Sequence, residues 1–342
     1  MKKKILLVAL VGCGRISKNH FNAIKREKLI KLIAICDTNI ERLEKHKKKY
    51  SVPAFTNIET MLKECEDIQA VILCTPSGIH SKQAVIASNY KKHVITEKPM
   101  ATYLKDGLKM ADNCKKNKVK LFVIKQNRYN ETLSNLKKAV DAKRFGKLIL
   151  VQVNVFWNRN QSYYDADDWK GTRRLDGGAL MNQASHYVDL LCWLFGQAQS
   201  VYADFTTNLK IETEDTGTLN LRWKSNLIGS LNFTMRTYPE NLEGSILVIG
   251  EEGTVKIGGK AVNNFDIWNF SNNKNIDSTL MAKRKKDIKS VYGFGHFKFY
   301  RDLVRSFNDS KVKMTDGNQG LLSLKLMEAA YESAKKRKPI II

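Results

Sequence analysis

The run Lys4–Val11 ends in Gly12-Cys13-Gly14-Arg15-Ile16-Ser17, and this junction constrains the fold more than any other stretch of the chain. A continuous apolar strand suits a parallel sheet covered on both faces. Glycines at 12 and 14 permit a tight turn and a close approach of backbone to a bound group. A helix opening near Ile16 then aims its N-terminal N–H groups at that group. The third position of the G-x-G-x-x-G pattern is Ser17, small enough for the helix–strand contact where Gly or Ala is usual. A second strand, Leu32–Cys36, ends at Asp37, the offset at which an acid accepts hydrogen bonds from an adenosine ribose. Thr38 and Asn39 follow, and neither is an arginine that would welcome a 2′-phosphate. The reading is a dinucleotide site for NAD rather than NADP, with Gly12, Gly14, Arg15, Ile16 and Asp37 in it.

Strands and helices alternate from there. Helices are predicted at 39–50, near 58–65, from about 78 to 88 and near 103–117. Strands are predicted at Ala54-Phe55, Ala70–Cys74, His93–Thr96 and Lys120–Ile124. Such alternation over ~120 residues means a doubly wound parallel sheet, the Rossmann arrangement. After residue 124 the pattern changes. Leu148–Trp157 alternates, with Val151, Val153 and Val155 on one face, and extended stretches follow at 201–205, 219–223, 228–235, 245–250 and 254–258. The chain is therefore read as α/β, with an N-terminal NAD-binding Rossmann domain over 1–124. The remainder, 125–342, is read as an α+β domain with an open, mainly antiparallel sheet. A helix is predicted over Ala179–Phe195, opened by Gly177-Gly178 and ended by Gly196. The stretch Ser271–Val291 reads as a polar, basic loop, and helices His296–Asn308 and Asn318–Lys336 close the chain. A one-sided sheet implies a covering partner and hence a homo-oligomer.

The 342 residues suffice for two domains with cores of their own. No apolar run approaches the ~20 residues of a membrane span. A net charge of +24 raises the question of nucleic acid. The lysines, however, are scattered over 45–49, 115–120 and 283–289, without an aromatic-interleaved groove or a helix-turn-helix. A broad positive field suits an anionic small substrate instead. The six cysteines show no C-x-x-C spacing and read as reduced thiols of a cytoplasmic protein. Lys2-Lys3-Lys4, the apolar run after them and Cys13 also mimic a lipoprotein signal. Cleavage before Cys13 would delete the first strand, so no processing is expected.

Two stretches carry candidate chemistry. In His93–Met100, Pro99 disfavours helical dihedrals at Lys98, holding it extended beyond a strand end. Open parallel sheets bind ligands there, and Thr75-Pro76 closes another strand on the same crevice. His80, on the following helix, reads as a packing or hydrogen-bonding residue. In the second half, Asn182, His186 and Asp189 are spaced four and three apart, so they share one face of the predicted helix. Read alone, Lys98 is a surface lysine and His186 a satisfied buried histidine. No further His or Cys cluster completes a metal site, so no metal is expected.

Taken in order, Gly12-x-Gly14, Asp37, Thr75-Pro76 with His80, Glu97-Lys98-Pro99 and the glycine–helix–His186-x-x-Asp189 pattern resemble the glucose–fructose oxidoreductase / inositol dehydrogenase family. The resemblance covers essentially the whole chain. Lys125-Gln126-Asn127-Arg128, Asn154–Trp157 through Gln161–Tyr164, and Met181–Tyr187 are similar to its UDP-N-acetylglucosaminuronate 3-dehydrogenase members, which serve bacterial surface-polysaccharide synthesis, including O-antigen. Many family members have aspartate where this chain has Asn182, and asparagine is expected in that subgroup.

The resemblance implies NAD+ lying across the first domain with its nicotinamide near Lys98. Thr75, Pro76, His80, Glu97 and Gln126 join the glycine turn around it. A sugar C3 hydroxyl is oxidised to a 3-keto sugar nucleotide, with Lys98 and His186 catalytic. His186 is favoured as proton acceptor and Lys98 as the cation that holds the oxygen, and the reverse assignment stays open. Substrate contacts are Lys98, Arg159, Tyr164, Lys170, Arg174, Asn182 and His186, arginine matching planar carboxylate and phosphate geometry. Other readings are a dehydrogenase of a free cyclitol or sugar, or a non-catalytic NAD-binding regulator, which would need neither Lys98 nor His186. A downstream aminotransferase and in-place reoxidation of NADH by 2-oxoglutarate are questions the resemblance raises.

Overall fold

The computed structural model describes residues 4–272, 274–282, 295–309 and 311–342. The chain divides into two compact units, Met1–Lys125 with Phe294–Leu324, and Gln126–Gly293 with Lys325–Ile342. In the first, β1 (Leu6–Val11), β2 (Ile30–Cys36), β3 (Ala54–Phe55), β4 (Ala70–Leu73), β5 (His93–Thr96) and β6 (Leu121–Val123) form a six-stranded sheet in the order β3-β2-β1-β4-β5-β6. Every pairing in it is parallel. Helices α1 (Ser17–Arg26), α2 (Ile40–Tyr50), α3 (Ile58–Glu64), α4 (His80–Asn89) and α5 (Leu104–Lys116) connect the strands. β4 is buried at every residue, as a parallel strand covered on both faces must be. Asn39 and Asn57 start α2 and α3 by accepting backbone N–H groups of the first turn. Strand order reverses between β1 and β4, and at such a switch point the crevice beyond the strand ends takes the ligand.

The second unit is built on an eight-stranded sheet. Its elements are α6 (Glu131–Asp141), β7 (Leu148–Phe156), α7 (Gln161–Asp165), α8 (Ser185–Phe195), β8 (Ser200–Thr206), β9 (Thr216–Arg222), β10 (Ile228–Thr234), β11 (Glu243–Gly250), β12 (Gly253–Gly258), β13 (Asn264–Phe270) and α9 (Asn275–Ala282). The chain then returns to the first unit through α10 (Gly295–Asn308) and into α11 (Gly317–Lys336), which leads to β14 (Ile340–Ile341) in the second. The strand order is β13-β12-β11-β7-β10-β9-β8-β14, antiparallel throughout except β7 with β10. Alternate residues such as Val151, Val153, Val155, Leu219, Leu221, Leu231 and Phe233 are buried, giving one core face.

Four features differ from the sequence reading. A single boundary at 124/125 misses the return of 294–324 to the first unit, because α10 packs on α1. The helix predicted over Ala179–Phe195 is helical only from Ser185. Ala179 and Leu180 donate to the Glu214 carbonyl and carboxylate, at 3.2 and 2.9 Å, and the ladder is then out of helical register, Ala184 N bonding the Ala179 carbonyl five residues back at 2.8 Å. In the predicted loop at 271–291, residues 275–282 form α9, anchored by Asp277 accepting from Trp268 Nε1 and pairing with Arg144 at 2.6 Å. Positions 273 and 283–291 of that loop lie outside the described residues. Finally, α7, β13 and β14 have no counterpart in the sequence reading, being short or weakly patterned.

Candidate functional site

In the first unit the glycine turn has the form a dinucleotide requires. Gly12 has φ +94, and a Cβ there would lie 2.7 Å from the Cys74 carbonyl carbon and the Thr75 nitrogen. Any side chain would close the gap between the β1 and β4 ends. Gly14 has no such crowding, and the nearest atom to a Cβ there is Arg42 Nη1 at 3.6 Å. Ser17 replaces the third glycine by turning inward, its hydroxyl donating to the Gly14 carbonyl at 2.6 Å. No side chain caps the start of α1, where Ser17 N and Asn19 N donate to the Gly14 and Ile16 carbonyls at 3.1 and 3.0 Å. Arg15 is exposed and Ile16 half-buried on the outer side of the turn. Asp37 accepts from Cys13 N at 2.6 Å and Asn39 N at 2.8 Å, which leaves lone pairs on both oxygens for ribose hydroxyls. The cradle and the donor set therefore fit NAD. Arg42, five positions after Asp37, comes to the turn by way of α2, so the two residues that follow Asp37 do not announce it.

Around the β4 and β5 ends, His80 is fully buried, with Nε2 2.8 Å from the Thr75 carbonyl oxygen and Nδ1 3.1 Å from that of Pro99. Burial, the larger influence, pulls its pKa down, and the two carbonyls pull it back up. It ties the two loop ends together. Thr75 donates to Gln83 Oε1 at 2.6 Å. Lys98 is half-buried, whereas Glu97 is 5% exposed and its carboxylate is engaged by His20 and His296 at 2.9 and 3.0 Å. Both histidines escaped the sequence reading. His20 lies among the buried positions of α1 with Phe21, Ala23 and Ile24, so its spacing marks burial but not its partner.

In the second unit, His186 is 6% exposed on the first turn of α8, and Gln126 Nε2 approaches its Nε2 at 3.4 Å. Asp189 is held by Arg128 through two contacts of 2.8 Å each. Asn182, outside the helix, donates to Asp176. The predicted Asn-His-Asp stripe is thus divided among three separate partners. Arg159 lies over the rings of Trp157 and Tyr163, 5.4 and 5.3 Å from their centroids, and Lys170 lies over Tyr163 at 4.5 Å. These residues form one aromatic–cation cluster, and Arg174 is exposed. Among the described residues, Gln126 Oε1, Asn127 Oδ1, Trp157 Nε1, Tyr164 OH and both Gln183 amide atoms are buried without a protein partner. Such atoms suit the hydroxyl and amide groups of a polar ligand. Of these, Asn127, Trp157 and Gln183 lie inside the motif stretches but were not singled out.

The turn that leads into α8 rests on Glu214. Gly177 and Gly178 have φ +90 and +110, and a Cβ on Gly178 would strike the Glu214 carboxylate. Glu214 Oε1 lies 2.8 Å from Tyr331 OH, which is also 2.9 Å from the Gly177 carbonyl. One hydroxyl hydrogen serves both contacts only if Glu214 itself is protonated. Burial accordingly pushes the Glu214 pKa up to about 7, against the Leu180 N–H, Tyr331 and Arg173. A raised acid stabilises the fold fully below its unfolded value near 4.5 and loses that contribution as pH rises through about 7. The span corresponds to about 3 kcal/mol. Glu214→Gln removes the ionisation, while its amide oxygen in the place of Oε1 still accepts from the Leu180 N–H and the Tyr331 hydroxyl. Melting curves should show the variant several degrees more stable than wild type at alkaline pH and equal to it at pH near 5.

Residues 6–125 match the family model described as oxidoreductase family, NAD-binding Rossmann fold, and residues 137–342 that of the C-terminal alpha/beta domain of the same oxidoreductase family. The WlbA dehydrogenase from Bordetella pertussis, crystallised with NADH and UDP-GlcNAcA, is 44% identical, with 100% of this chain and 99% of that one covered and a TM-score of 0.93. The WlbA dehydrogenase from Chromobacterium violaceum, in complex with the same pair, is 45% identical over 100% and 97% of the two chains, with a TM-score of 0.94. A curated relative, myo-inositol 2-dehydrogenase of Thermotoga maritima, is 24% identical over 97% of both chains.

Proposed function

The chain belongs to this family of NAD-binding oxidoreductases, and from that premise we propose that it oxidises the C3 hydroxyl of UDP-N-acetylglucosaminuronate to the 3-keto sugar nucleotide. The observation that carries the reading is 44–45% identity along the full chain to two dehydrogenases whose structures hold NADH and UDP-GlcNAcA. NAD+, when bound, accepts the hydride from C3. The turn at Gly12–Ser17 and Asp37 bind it, with Thr75, Pro76, His80 and Gln126 completing its surroundings. His186 removes the hydroxyl proton, and the Lys98 ammonium holds the oxygen as negative charge develops on it. Arg159, Tyr164, Lys170, Arg174 and Asn182 bind the substrate, with the cations on its diphosphate and uronate carboxylate. The unpartnered amides and hydroxyl of Gln126, Asn127, Tyr164 and Gln183 support recognition of a densely polar sugar.

We place the enzyme in surface-polysaccharide sugar synthesis, with an aminotransferase consuming the keto product. The six cysteines are thiols rather than disulfides, which suits a cytoplasmic location. Among the described residues, no helix is long and apolar enough to cross a membrane. The eight-stranded sheet has one buried face, and its other face suits a second copy of the chain, so sedimentation is expected to report an oligomer. Mixing protein, NAD+ and UDP-N-acetylglucosaminuronate should raise the NADH absorbance, more so with 2-oxoglutarate and an aminotransferase to draw off product. Formation of NADH with myo-inositol but not with the nucleotide sugar would replace this reading by the cyclitol one.

A further inference from the structure

Lys98 is held by its backbone, and the group that holds it is the Glu97 carboxylate. Glu97 Oε2 accepts the Lys98 N–H at 3.1 Å. Glu97 Oε1 faces two ring nitrogens, His20 Nε2 at 2.9 Å and His296 Nε2 at 3.0 Å. Beyond it, His20 Nδ1 lies 2.7 Å from Tyr300 OH. All four side chains are buried.

The donors and acceptors assign themselves once Glu97 is ionised. A carboxylate only accepts, so both Nε2 atoms carry hydrogens. His20, whose pKa burial lowers, is then neutral with a bare Nδ1, and Tyr300 donates its hydroxyl to that atom. Three N–H groups converge on one carboxylate. Burial pushes its pKa up, and the contacts from His20 and His296 outweigh that and hold it well below the usual range. His20 projects from α1, the helix that follows the glycine turn, while His296 and Tyr300 project from α10. The same three side chains, His20, Glu97 and His296, have ligand atoms within 4.8 Å of one another, close enough for a metal ion. The chain Tyr300–His20–Glu97 uses every hydrogen without one.

We propose that His20, His296 and Tyr300 are positioning residues for Lys98, acting through ionised Glu97. By fixing the carboxylate they fix the Lys98 N–H, and so the point from which the ammonium reaches the reacting oxygen. The inference rests on the reading of Lys98 as the cation of the dehydrogenase reaction. It also explains why an acid precedes the lysine: Glu97 serves the lysine's backbone rather than the cofactor.

The test pairs kinetics with a spectroscopic readout. In Glu97→Gln the amide presents either a donor to the Lys98 N–H or too few acceptors to the histidines. Turnover should fall about 10–100-fold. KM for NAD+ should move less than about threefold, and the deuterium isotope effect at C3 should rise. His296→Gln keeps a donor on Glu97 and should stay within about threefold of wild type, whereas His296→Leu should not. Histidine nitrogen NMR without any substrate should show His20 as the Nε2–H tautomer, and Tyr300→Phe should shift its Nδ1 resonance. That arm stands even if the nucleotide sugar proves not to be the substrate. Unchanged turnover and isotope effect in Glu97→Gln, equal behaviour of the two His296 variants, or an Nδ1–H tautomer of His20 would overturn the proposal. So would stoichiometric metal in purified protein that disappears in His296→Leu.

Discussion

His186→Asn should lower kcat by about 10²–10⁴ while leaving NAD affinity unchanged. A carbinol carbon gives up hydride readily only as its hydroxyl loses a proton, so removal of the base strikes the chemical step. His186 is set for this by its surroundings. It is 6% exposed on the first turn of α8, with the Gln126 amide 3.4 Å from its Nε2. The nearby acid in sequence, Asp189, already has its charge balanced by Arg128 at 2.8 Å. Asn182, where an acid would have favoured imidazolium, is neutral and turned to Asp176. Wild-type kcat/KM should therefore climb with pH along an acid limb as the base loses its proton. That limb should vanish in His186→Asn, and rapid-mixing measurement of NADH formation should locate the loss in hydride transfer. Near-normal turnover in the variant would hand the role of base to Lys98.

The parts of this protein that were legible in the sequence are those where local chemistry dictates geometry. The Gly12 turn is one: φ +94 and a 2.7 Å clearance to the next strand end exclude every side chain, so the glycine had to be visible. The all-apolar β4 and the alternating β9 are others, since covered and half-covered strands leave different periods. What escaped was decided by partners distant in the chain. Nothing local distinguishes residues 179–184 from helix. The Ala179 and Leu180 N–H groups are captured by Glu214, more than thirty positions on. Glu97 reads in the sequence as a cofactor contact through its motif. Its side-chain contacts to His20 and His296 lie 77 and 199 positions away, and no period announces them. Helix α9 likewise hangs on the pairing of Asp277 with Arg144 across 133 positions.

Lys98→Met should lower kcat by about 10²–10³, the range for losing one preorganised charge at a developing oxyanion. Methionine keeps the length and most of the packing of the lysine stem, so the loss is of charge rather than shape. The Glu97 contact is to the Lys98 backbone N–H, which the substitution retains, so the strand end should keep its geometry. Melting temperature and NAD binding are therefore expected to stay near wild type. The two catalytic variants should differ in their pH profiles. In Lys98→Met the acid limb assigned to His186 persists, displaced downward at every pH. If lysine were instead the base, its removal would erase the limb and His186→Asn would preserve it. The double variant sharpens the distinction. A base and a cation that act on one oxygen in one step form a unit, so the double loss should be smaller than the product of the single losses. Independent roles would multiply, and full multiplication would show that Lys98 stabilises something other than the alkoxide that His186 generates.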